Sequence, residues 1–285
     1  MTDSPPNAIL DSLRARAREH RTPCGEGHML WRIWGADDRP AVVLLHGGFG
    51  AWNHWVRNIP ALERDHRVIV PDLPGCGDSD APPEAPDAES LAAILLAGLA
   101  RVVGADAHFD LVGFSFGGLL AGPIARVNAR RVSRLIIVGT PILGLATTGP
   151  ANALVAVPPG LPPDEAVRIY RGNLEKLMVH DPAAVDELAM TLHMENMAKT
   201  RLRSRGIARR TIAADSLRGL TCGMGFVYGD GDVTLAPDLD TVRAAATEIQ
   251  SDAPFHVLPG TGHWVQYEAA DAFNALLPGL LSGGA

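Results

Sequence analysis

Residues 110–122 read Asp-Leu-Val-Gly-Phe-Ser-Phe-Gly-Gly-Leu-Leu-Ala-Gly, an apolar run, then a serine between two phenylalanines, then small residues. The apolar run is typical of a buried strand, and the stretch after Gly117 is typical of a helix. A serine between a strand and a helix takes a strained, sharply turned backbone, and glycines two positions before and after it let neighbouring elements pack against the turn. We therefore expect the Ser115 hydroxyl at the end of a sheet strand, in the position of a nucleophile.

The rest of the chain alternates between apolar runs of strand length and stretches with helical spacing. Strands are predicted at 28–34, 41–45, 67–70, 108–112, 135–138, 225–228 and 255–258. The patterns favour helices over 88–103 and 118–128, helical spacing over 52–62, and a short amphipathic helix or ordered arm over 8–20. This alternation predicts an α/β fold with a doubly wound, mostly parallel sheet, right-handed crossovers and a site at the carboxyl ends of its strands.

The alternation stops after Pro141. The stretch to about Asp215 holds helical patterns over 164–178 and 182–199, has no buried-strand run, and is rich in Leu, Met and Ala. Such apolar helix faces need a partner to bury against, so we expect a helical insertion rather than a linker. The predicted division is a core of residues 1–140 and 216–285, interrupted by an insertion at 141–215.

The composition argues against several classes of protein. A chain of 285 residues with 47% hydrophobic and 20% charged residues suits one α/β domain with an insertion. A formal net charge of −7 gives no field that gathers nucleic acid or an anionic membrane. No run approaches the roughly 20 apolar residues of a membrane span, and residues 1–7 lack a signal-peptide pattern. Three widely separated cysteines favour a reducing cytoplasm, so we expect a cytoplasmic protein without nucleic-acid or membrane partners.

A serine nucleophile needs a base within hydrogen-bond reach and a carboxylate that orients the base. Among the ten histidines, His263 is the best base, because it follows the last predicted strand in a loop with flanking glycines. Asp230 and Asp232 compete for the carboxylate position in the loop after the strand at 225–228. We favour Asp232, because Asp230 is placed to bond the backbone of its own turn, and the order serine, acid, histidine is the one expected for this kind of turn.

An oxyanion needs hydrogen-bond donors where its charge develops. One donor is expected at the backbone N–H of Phe116, which directly follows the serine and begins a helix. The second is expected in the glycine-rich stretch 46–50, after the central strand, since only glycine-rich backbone approaches a substrate so closely. The same stretch also suits an ordinary strand-to-helix turn.

The chain resembles enzymes of the α/β-hydrolase fold over most of its length outside the insertion. The motifs that carry the resemblance are 46–50, 71–79, 113–118, 229–232 and 262–263, in the family's order. The resemblance implies a catalytic triad of Ser115, Asp232 and His263 and an oxyanion hole formed by the amides of Gly48 and Phe116. It also implies a helical cap at 141–215 that shapes the substrate pocket, and a mainly structural role for 72–79. This chemistry requires no metal and no organic cofactor.

Within that superfamily, residues 262–268, with 50–52 and 57–58, are similar to meta-cleavage-product hydrolases, which cut carbon–carbon bonds in ring-fission products. Those enzymes usually have asparagine before the nucleophile and methionine after it, where this chain has Phe114 and Phe116. Hydrolysis of a small carboxylic ester is therefore the leading prediction, and carbon–carbon hydrolysis is the alternative. A non-catalytic ligand receptor on the same fold is a third, since a fold does not fix a function.

The substrate pocket is predicted to be lined mainly by aromatic side chains, because the few aromatic residues gather around the expected site. The predicted lining residues are Phe49, Trp52, Phe114, Trp264 and Arg201. Carbon–carbon hydrolases use a cap arginine for the substrate's carboxylate and keto groups, and Arg201, Arg203 and Arg205 lie in a suitable part of this chain. A solvated helix face is the alternative for the basic run at 199–210. The expected partner is a small-molecule substrate, and the sequence leaves a homodimer open.

Overall fold

The computed structural model describes residues 5–83 and 86–282. Its strands form one eight-stranded sheet. The strands are β1 Arg18–Cys24, β2 Gly27–Trp34, β3 Ala41–Leu45, β4 Arg67–Pro71, β5 Phe109–Phe114, β6 Val132–Val138, β7 Gly223–Gly229 and β8 Phe255–Leu258. Their order is β1-β2-β4-β3-β5-β6-β7-β8; β2 is antiparallel to both of its neighbours, and all other pairs are parallel. The predicted α/β class with a mostly parallel sheet is confirmed.

Helices follow most of the strands. The helices are α1 Pro6–Arg16, α2 Ile59–Leu62, α3 Ala88–Val102, α4 Phe116–Val127, α5 Pro163–Leu177, α6 Glu187–Lys199, α7 Ser204–Ala208, α8 Ala213–Leu217, α9 Leu239–Ile249, α10 Val265–Glu268 and α11 Ala270–Ser282. Single 3₁₀ turns occur at Trp52–Trp55, Pro150–Asn152 and Pro182–Ala184. In the part of the chain that the structure describes, no helix has the length and apolar character needed to cross a membrane.

The sheet separates two apolar cores. Successive side chains of a strand point to opposite faces, so a strand covered on both sides needs apolar residues at every position. In β3, Val43 and Leu45 join the core that contains α3 and α4, whereas Val42 and Leu44 join the core that contains Trp55. This two-sided burial is why the apolar runs predicted the central strands.

The N-terminal region differs from the predicted helix or ordered arm at 8–20. Helix α1 ends at Arg16, and the residues from Arg18 onward pair with β2 as the edge of the sheet. Most side chains of β1 are exposed. An edge strand has a neighbour on one side only, so it lacks the apolar run by which a buried strand is predicted.

The region 52–62 also differs from the single helical pattern predicted there. It forms the 3₁₀ turn at Trp52–Trp55 and then the separate short helix α2. Pro60 has no backbone N–H to continue a preceding helix, so it begins a new one as an early residue of α2. The chain bends there, and the aromatic residues of the 3₁₀ turn pack against the face of the sheet that carries Val42 and Leu44.

Four helices, α5 to α8, lie between β6 and β7, where the insertion was predicted. Apolar residues of these helices and of the loops between them bury against the rest of the molecule on both sides of the sheet. Leu174 and Leu192 pack into the core that contains Trp264, and Leu202 and Ile207 pack into the core that contains α4. The division into a core and a cap at residues 141 and 215 stays a prediction.

Candidate active site

Ser115 is the single residue between β5 and α4, so strand and helix both extend closer to it than the sequence predicted. Its φ of 51° and ψ of −114° are strained for a residue with a side chain. The Ser115 N–H donates to the Val138 carbonyl at 2.9 Å, which ties the turn to β6. A Cβ on Gly113 would lie 2.6 Å from the Gly118 Cα, and one on Gly117 would lie 2.5 Å from the Leu45 carbonyl oxygen. Both glycines are therefore required by close packing.

The structure brings Ser115, His263 and Asp232 into one hydrogen-bonded chain. The His263 Nε2 lies 2.8 Å from the Ser115 Oγ, and its Nδ1 lies 2.9 Å from the Asp232 Oδ2. The imidazole and the carboxylate are both buried. A carboxylate only accepts hydrogen bonds, so Nδ1 carries the proton and Nε2 is left to accept from the serine hydroxyl.

Thr234 fixes the carboxylate of Asp232. Its backbone N–H and its hydroxyl both donate to the Asp232 Oδ1, at 2.9 and 2.7 Å, and the hydroxyl oxygen lies 3.2 Å from the His263 Nδ1. The other candidate acid, Asp230, is placed differently: its Oδ1 accepts from the Thr261 N–H at 3.2 Å. Asp232, and not Asp230, reaches His263.

The two residues whose amides are predicted to form an oxyanion hole are neighbours in the structure. Gly48 and Phe116 lie side by side, since a Cβ on Gly48 would lie 3.7 Å from the Cβ of Phe116. Within residues 5–83 and 86–282, neither N–H donates to a protein acceptor. The hydroxyl of Ser204 is the nearest neighbour of Gly48, 2.6 Å from the position of such a Cβ, and it is buried without a partner among the same residues.

The loop that carries Gly48 is fixed by a buried histidine and aspartate. The His46 Nε2 accepts from the Leu73 N–H at 2.9 Å, and burial lowers the pKa of His46. The carboxylate of Asp72 accepts from the Trp52 N–H and from the Arg32 guanidinium, both at 2.8 Å. These bonds hold the stretch 46–52 against the segment that follows β4.

A first cavity of about 70 Å³ lies against Ser115 and His263. Its walls are mostly apolar and include Leu119, Pro141 and Leu145. A second cavity of about 340 Å³ adjoins it. The residues that line both cavities are Gly48, Phe49, Leu177, Met178 and Arg205. Residues of the core and of α5 to α7 thus form the walls together.

The predicted aromatic lining is placed only in part at these cavities. Phe49 lines both, Phe114 lines the first, and Trp264 lines the second. Trp52 lines neither cavity, so the prediction that it lines the pocket is wrong. Its ring is buried against Trp34, with ring centroids 5.5 Å apart. The guanidinium of Arg32 covers it at 5.4 Å, so Trp52 belongs to the core.

The predicted cap arginine is also corrected. The guanidinium of Arg201 donates to the carbonyls of Gly77 and Ser79, and Arg201 lines neither cavity. The arginine at both cavities is Arg205, whose Nη2 donates to the Asn152 Oδ1 at 3.2 Å. Arg201 precedes α7, whereas Arg205, four positions further along the chain, lies in that helix and lines the cavities.

Sequence reasoning missed several residues at the site. Thr234 has a local signal for its backbone alone, since an aspartate side chain commonly accepts from the backbone N–H two residues further on. Ser204 had none, because its place beside Gly48 depends on how α7 packs. The histidines His54 and His193 line the second cavity from distant parts of the chain, and nothing in the sequence links them.

Fold and site together define the class: a hydrolase built on a mostly parallel sheet, with a serine on a strand-to-helix turn. The chain belongs to the alpha/beta hydrolase family, whose model matches residues 42–276. The protein is therefore a hydrolase, and the ligand-receptor alternative loses its support.

Three similar proteins show how far the likeness extends. A 2-hydroxy-6-oxo-6-phenylhexa-2,4-dienoate hydrolase of Burkholderia cepacia is 29% identical over 256 residues, covering 86% of this chain and 88% of that protein. A solved meta-cleavage product hydrolase of Pseudomonas fluorescens IP01 has a TM-score of 0.74 at 21% identity, covering 93% and 98% of the two chains. A solved putative aryl esterase of Burkholderia cenocepacia has a TM-score of 0.77 at 20% identity, covering 94% and 99%. The two solved structures share the fold.

Proposed function

We propose that the protein hydrolyses a small carboxylic ester through an acyl-enzyme on Ser115. The observation that carries the proposal is the 2.8 Å contact between the Ser115 Oγ and the His263 Nε2, continued by the contact between the His263 Nδ1 and Asp232. A serine hydroxyl is a weak nucleophile at neutral pH, and an adjacent oriented base activates it. The apolar first cavity beside it suits an uncharged acyl group.

In the first half-reaction, Oγ of Ser115 attacks the carbonyl carbon while Nε2 of His263 takes the hydroxyl proton. The carbonyl electron pair moves to its oxygen, and the oxyanion accepts hydrogen bonds from the N–H groups of Gly48 and Phe116. When the carbonyl re-forms, the bond to the leaving oxygen breaks and Nε2 returns its proton to the alcohol. Water then repeats these steps on the acyl-enzyme and releases the carboxylic acid.

Asp232 and Thr234 act on the base rather than on the substrate. The Asp232 carboxylate accepts from Nδ1–H of His263 and stabilises the imidazolium that forms during attack. Thr234 holds one carboxylate oxygen with two hydrogen bonds, which leaves the other directed at the ring. The imidazole therefore keeps the tautomer that the reaction needs.

The stretch 141–215, which holds α5 to α7 and the start of α8, acts in this proposal as a cap over the site. Support comes from Leu177, Met178, Ser204 and Arg205, which belong to that stretch and line the cavities. The substrate would have to fit between them and the core. The cytoplasmic location and a homodimer stay predictions.

The test is hydrolysis of a p-nitrophenyl ester series, from acetate to octanoate, by wild type, Ser115→Ala and the exposed-serine control Ser12→Ala. We expect Ser115→Ala to lose turnover by several orders of magnitude with an unchanged fold, as other triads do. Ser12→Ala is expected to match wild type. Near-normal turnover by Ser115→Ala would end the assignment.

Hydrolysis of a carbon–carbon bond in a ring-fission product is the second candidate. Its support is the Burkholderia cepacia relative, named as a dienoate hydrolase, and the position of Arg205, which could face a substrate carboxylate from either cavity. The phenyl dienoate of that relative is coloured, and its bleaching reports cleavage. Bleaching by wild type together with silence on every ester would replace the ester proposal with this one.

A further inference from the structure

The Gly48 loop, residues 46–52, depends on its surroundings for its shape. Residues 46–51 belong to no helix or strand, so no regular hydrogen-bond ladder fixes their backbone. Phe49 has a φ of 56°, which is strained for a residue with a side chain. Such strain persists only where the surrounding structure imposes it. The contacts that hold the two ends of this loop therefore also set the position of the Gly48 N–H.

Both ends of the Gly48 loop are hydrogen-bonded to the β4 segment, residues 72–79. At the start of the loop, the His46 Nε2 accepts from the Leu73 N–H at 2.9 Å. At its end, the Trp52 N–H donates to the Asp72 Oδ1 at 2.8 Å. The Asp72 carboxylate is fully buried, and a buried charge requires such partners. A shift of the β4 segment would therefore move the Gly48 loop with it.

The β4 segment is bonded in turn to the α6 terminus, residues 196–202, which holds the last turn of α6 and the three residues after it. The backbone N–H groups of Arg201 and Leu202 both donate to the Gly75 carbonyl, at 2.7 and 3.1 Å. The Arg201 guanidinium donates to two further carbonyls of the same segment. The side chain that was expected in the pocket thus holds the β4 segment instead.

A row of ion pairs makes a second connection from the α6 terminus to the loop. The Lys199 Nζ lies 2.7 Å from the Asp78 Oδ1, and the Asp78 Oδ2 accepts from the Arg32 Nη2 at 2.6 Å. The Arg32 Nη1 donates to the Asp72 Oδ2 at 2.8 Å. Arg32 is buried, and two carboxylates share its one positive charge, so Lys199 contributes to the balance. The charge at the end of α6 therefore acts on the carboxylate that holds the Trp52 N–H.

A buried pair of amides makes a third connection. The Asn53 Nδ2 donates to the Asn196 Oδ1 at 2.9 Å, and the Asn196 Nδ2 donates to the Asn53 Oδ1 at 2.8 Å. Each of the two residues is 1% exposed. Removal of either amide would leave the other buried without these partners, which is unfavourable. Asn53 directly follows Trp52, so this pair joins α6 to the end of the Gly48 loop.

We propose that the α6 terminus positions the Gly48 loop, with Asn196, Lys199 and Arg201 as positioning residues for the Gly48 N–H. The inserted stretch then does more than line the cavities, since Lys199 and Arg201 line neither of them. That the Gly48 N–H serves an oxyanion rests on the proposed function, whereas the attachment of the loop to α6 does not. The test therefore measures the position of the loop and the turnover separately.

The Gly48 N–H can be observed selectively by NMR. In protein made with glycine that carries ¹⁵N and carbonyl ¹³C, an HNCO spectrum shows only glycines that follow a glycine, which are Gly48, Gly118 and Gly284. Gly118 lies in α4 and donates to the Ser115 carbonyl at 3.0 Å, so its signal reports an intact fold beside the nucleophile. The three signals are assigned by triple-resonance experiments on uniformly labelled wild type.

Lys199→Met removes the charge and keeps the length of a side chain that is 37% exposed, so we expect it to fold. It should shift the Gly48 signal, leave the Gly118 signal in place, and lower kcat on the best ester about 3- to 10-fold with KM within about twofold, because a displaced oxyanion donor weakens mainly the transition state. Lys176→Met, at the other lysine of the chain, exposed in α5, is the matched control and should change none of these.

Asn196→Leu, of nearly the same shape, tests the amide pair. It should shift the Gly48 signal and lower kcat about 10- to 100-fold. The double variant with Asn53→Leu should lose no more than Asn196→Leu alone, because both substitutions remove one connection. Additive losses would contradict that connection.

A Gly48 signal that stays in place in Lys199→Met and Asn196→Leu, or one that moves while kcat is unchanged, would overturn the positioning role. Failure of wild type to hydrolyse any ester would instead end the ester assignment and leave the NMR result standing. An unmoved Gly48 signal would leave the assay of Ser115→Ala untouched.

Discussion

The carboxylate of Glu268 accepts a hydrogen bond from the Gly262 N–H at 2.6 Å, one residue before His263. The same carboxylate accepts the N–H groups of His180 and Asp181, at 2.9 and 2.7 Å. One side chain therefore fastens the loop that carries the proposed base to the segment after α5. Because that segment also supplies Met178 to both cavities, the position of His263 and the shape of the pocket are linked through Glu268.

Glu268→Gln should lower kcat more than it raises KM. A glutamine keeps one acceptor oxygen and turns an NH₂ group toward backbone N–H donors, so at least one hydrogen bond to a charged group is lost. We expect a loss of about 1.5–3 kcal/mol in the free energy of unfolding. A displaced base should cost about 10- to 100-fold in kcat. Glu248→Gln, at an exposed glutamate of α9, is the control, and equal kinetics in the two variants would exclude a positioning role.

The sequence predicted those parts of the molecule that follow from local patterns. Central strands such as β3 are buried on both faces and so form apolar runs, and the turn at Ser115 needs glycines that are visible in the chain. The edge strand β1 has no such run and was missed. Which side chains face a cavity depends on tertiary packing, so Trp52 and Arg201 were assigned to a pocket that they do not line. His54 and His193 are far apart in the sequence and line the same cavity only because the chain folds as it does.

Asp232→Asn should reduce kcat by about three to four orders of magnitude. Thr234 donates twice to Oδ1, so the new amide nitrogen would take the place of Oδ2 and face the His263 Nδ1. That arrangement forces the proton onto Nε2, and the ring can no longer accept from Ser115. The measurement is kcat on the best ester of the series.

Asp230→Asn is the matched control for that substitution, two residues away in the same loop. Its side chain accepts from the loop backbone, at the Thr261 N–H, and an asparagine keeps this acceptor. We expect activity within about twofold of wild type, since exposed substitutions of this kind have small effects. If Asp230→Asn were the inactive variant, the acid would be wrongly assigned.

Gly48→Ala should lower kcat/KM, and Ser204→Ala should restore part of the loss. A Cβ at position 48 would lie 2.6 Å from the Ser204 Oγ, too close for both atoms to keep their places. The clash should move the Gly48 N–H away from the oxyanion and cost about 10- to 100-fold. Removing the hydroxyl creates room for the methyl group. The four proteins of the double-mutant cycle are compared on one ester, and a double variant no better than Gly48→Ala would show that Ser204 is not the obstacle.

The free energy of unfolding should depend on pH through His54 and His193, because burial lowers the pKa of both imidazoles. The folded-state pKa of His193, about 4, lies below its ordinary value of 6.5, so on acidification the unfolded chain binds the proton first. Its contribution is full above pH 6.5 and is lost as the pH falls from there toward 4. Between pH 7.5 and 5.0, the free energy of unfolding of His193→Phe should fall by about 1–2 kcal/mol less than that of wild type. The measurement is urea unfolding at both pH values. His54→Phe should change in the same direction, and His108→Phe, at an exposed histidine, should follow wild type.

Asp110 changes the pH dependence of the free energy of unfolding in the direction opposite to that of the histidines. Its contribution is therefore measured separately. Burial raises the pKa of its carboxyl from 3.8 to about 6, so on acidification the folded chain binds this proton before the unfolded chain does. Stability from this group is full below pH 3.8 and is lost as the pH rises to 6, which offsets part of the histidine contribution between pH 6 and 5. Asp110→Asn removes the offset, and its stability should fall more steeply than that of wild type, by about 1 kcal/mol over that interval. If the free energy of unfolding of Asp110→Asn changed with pH in parallel with that of wild type, Asp110 would have to be ionised in the folded protein at pH 5.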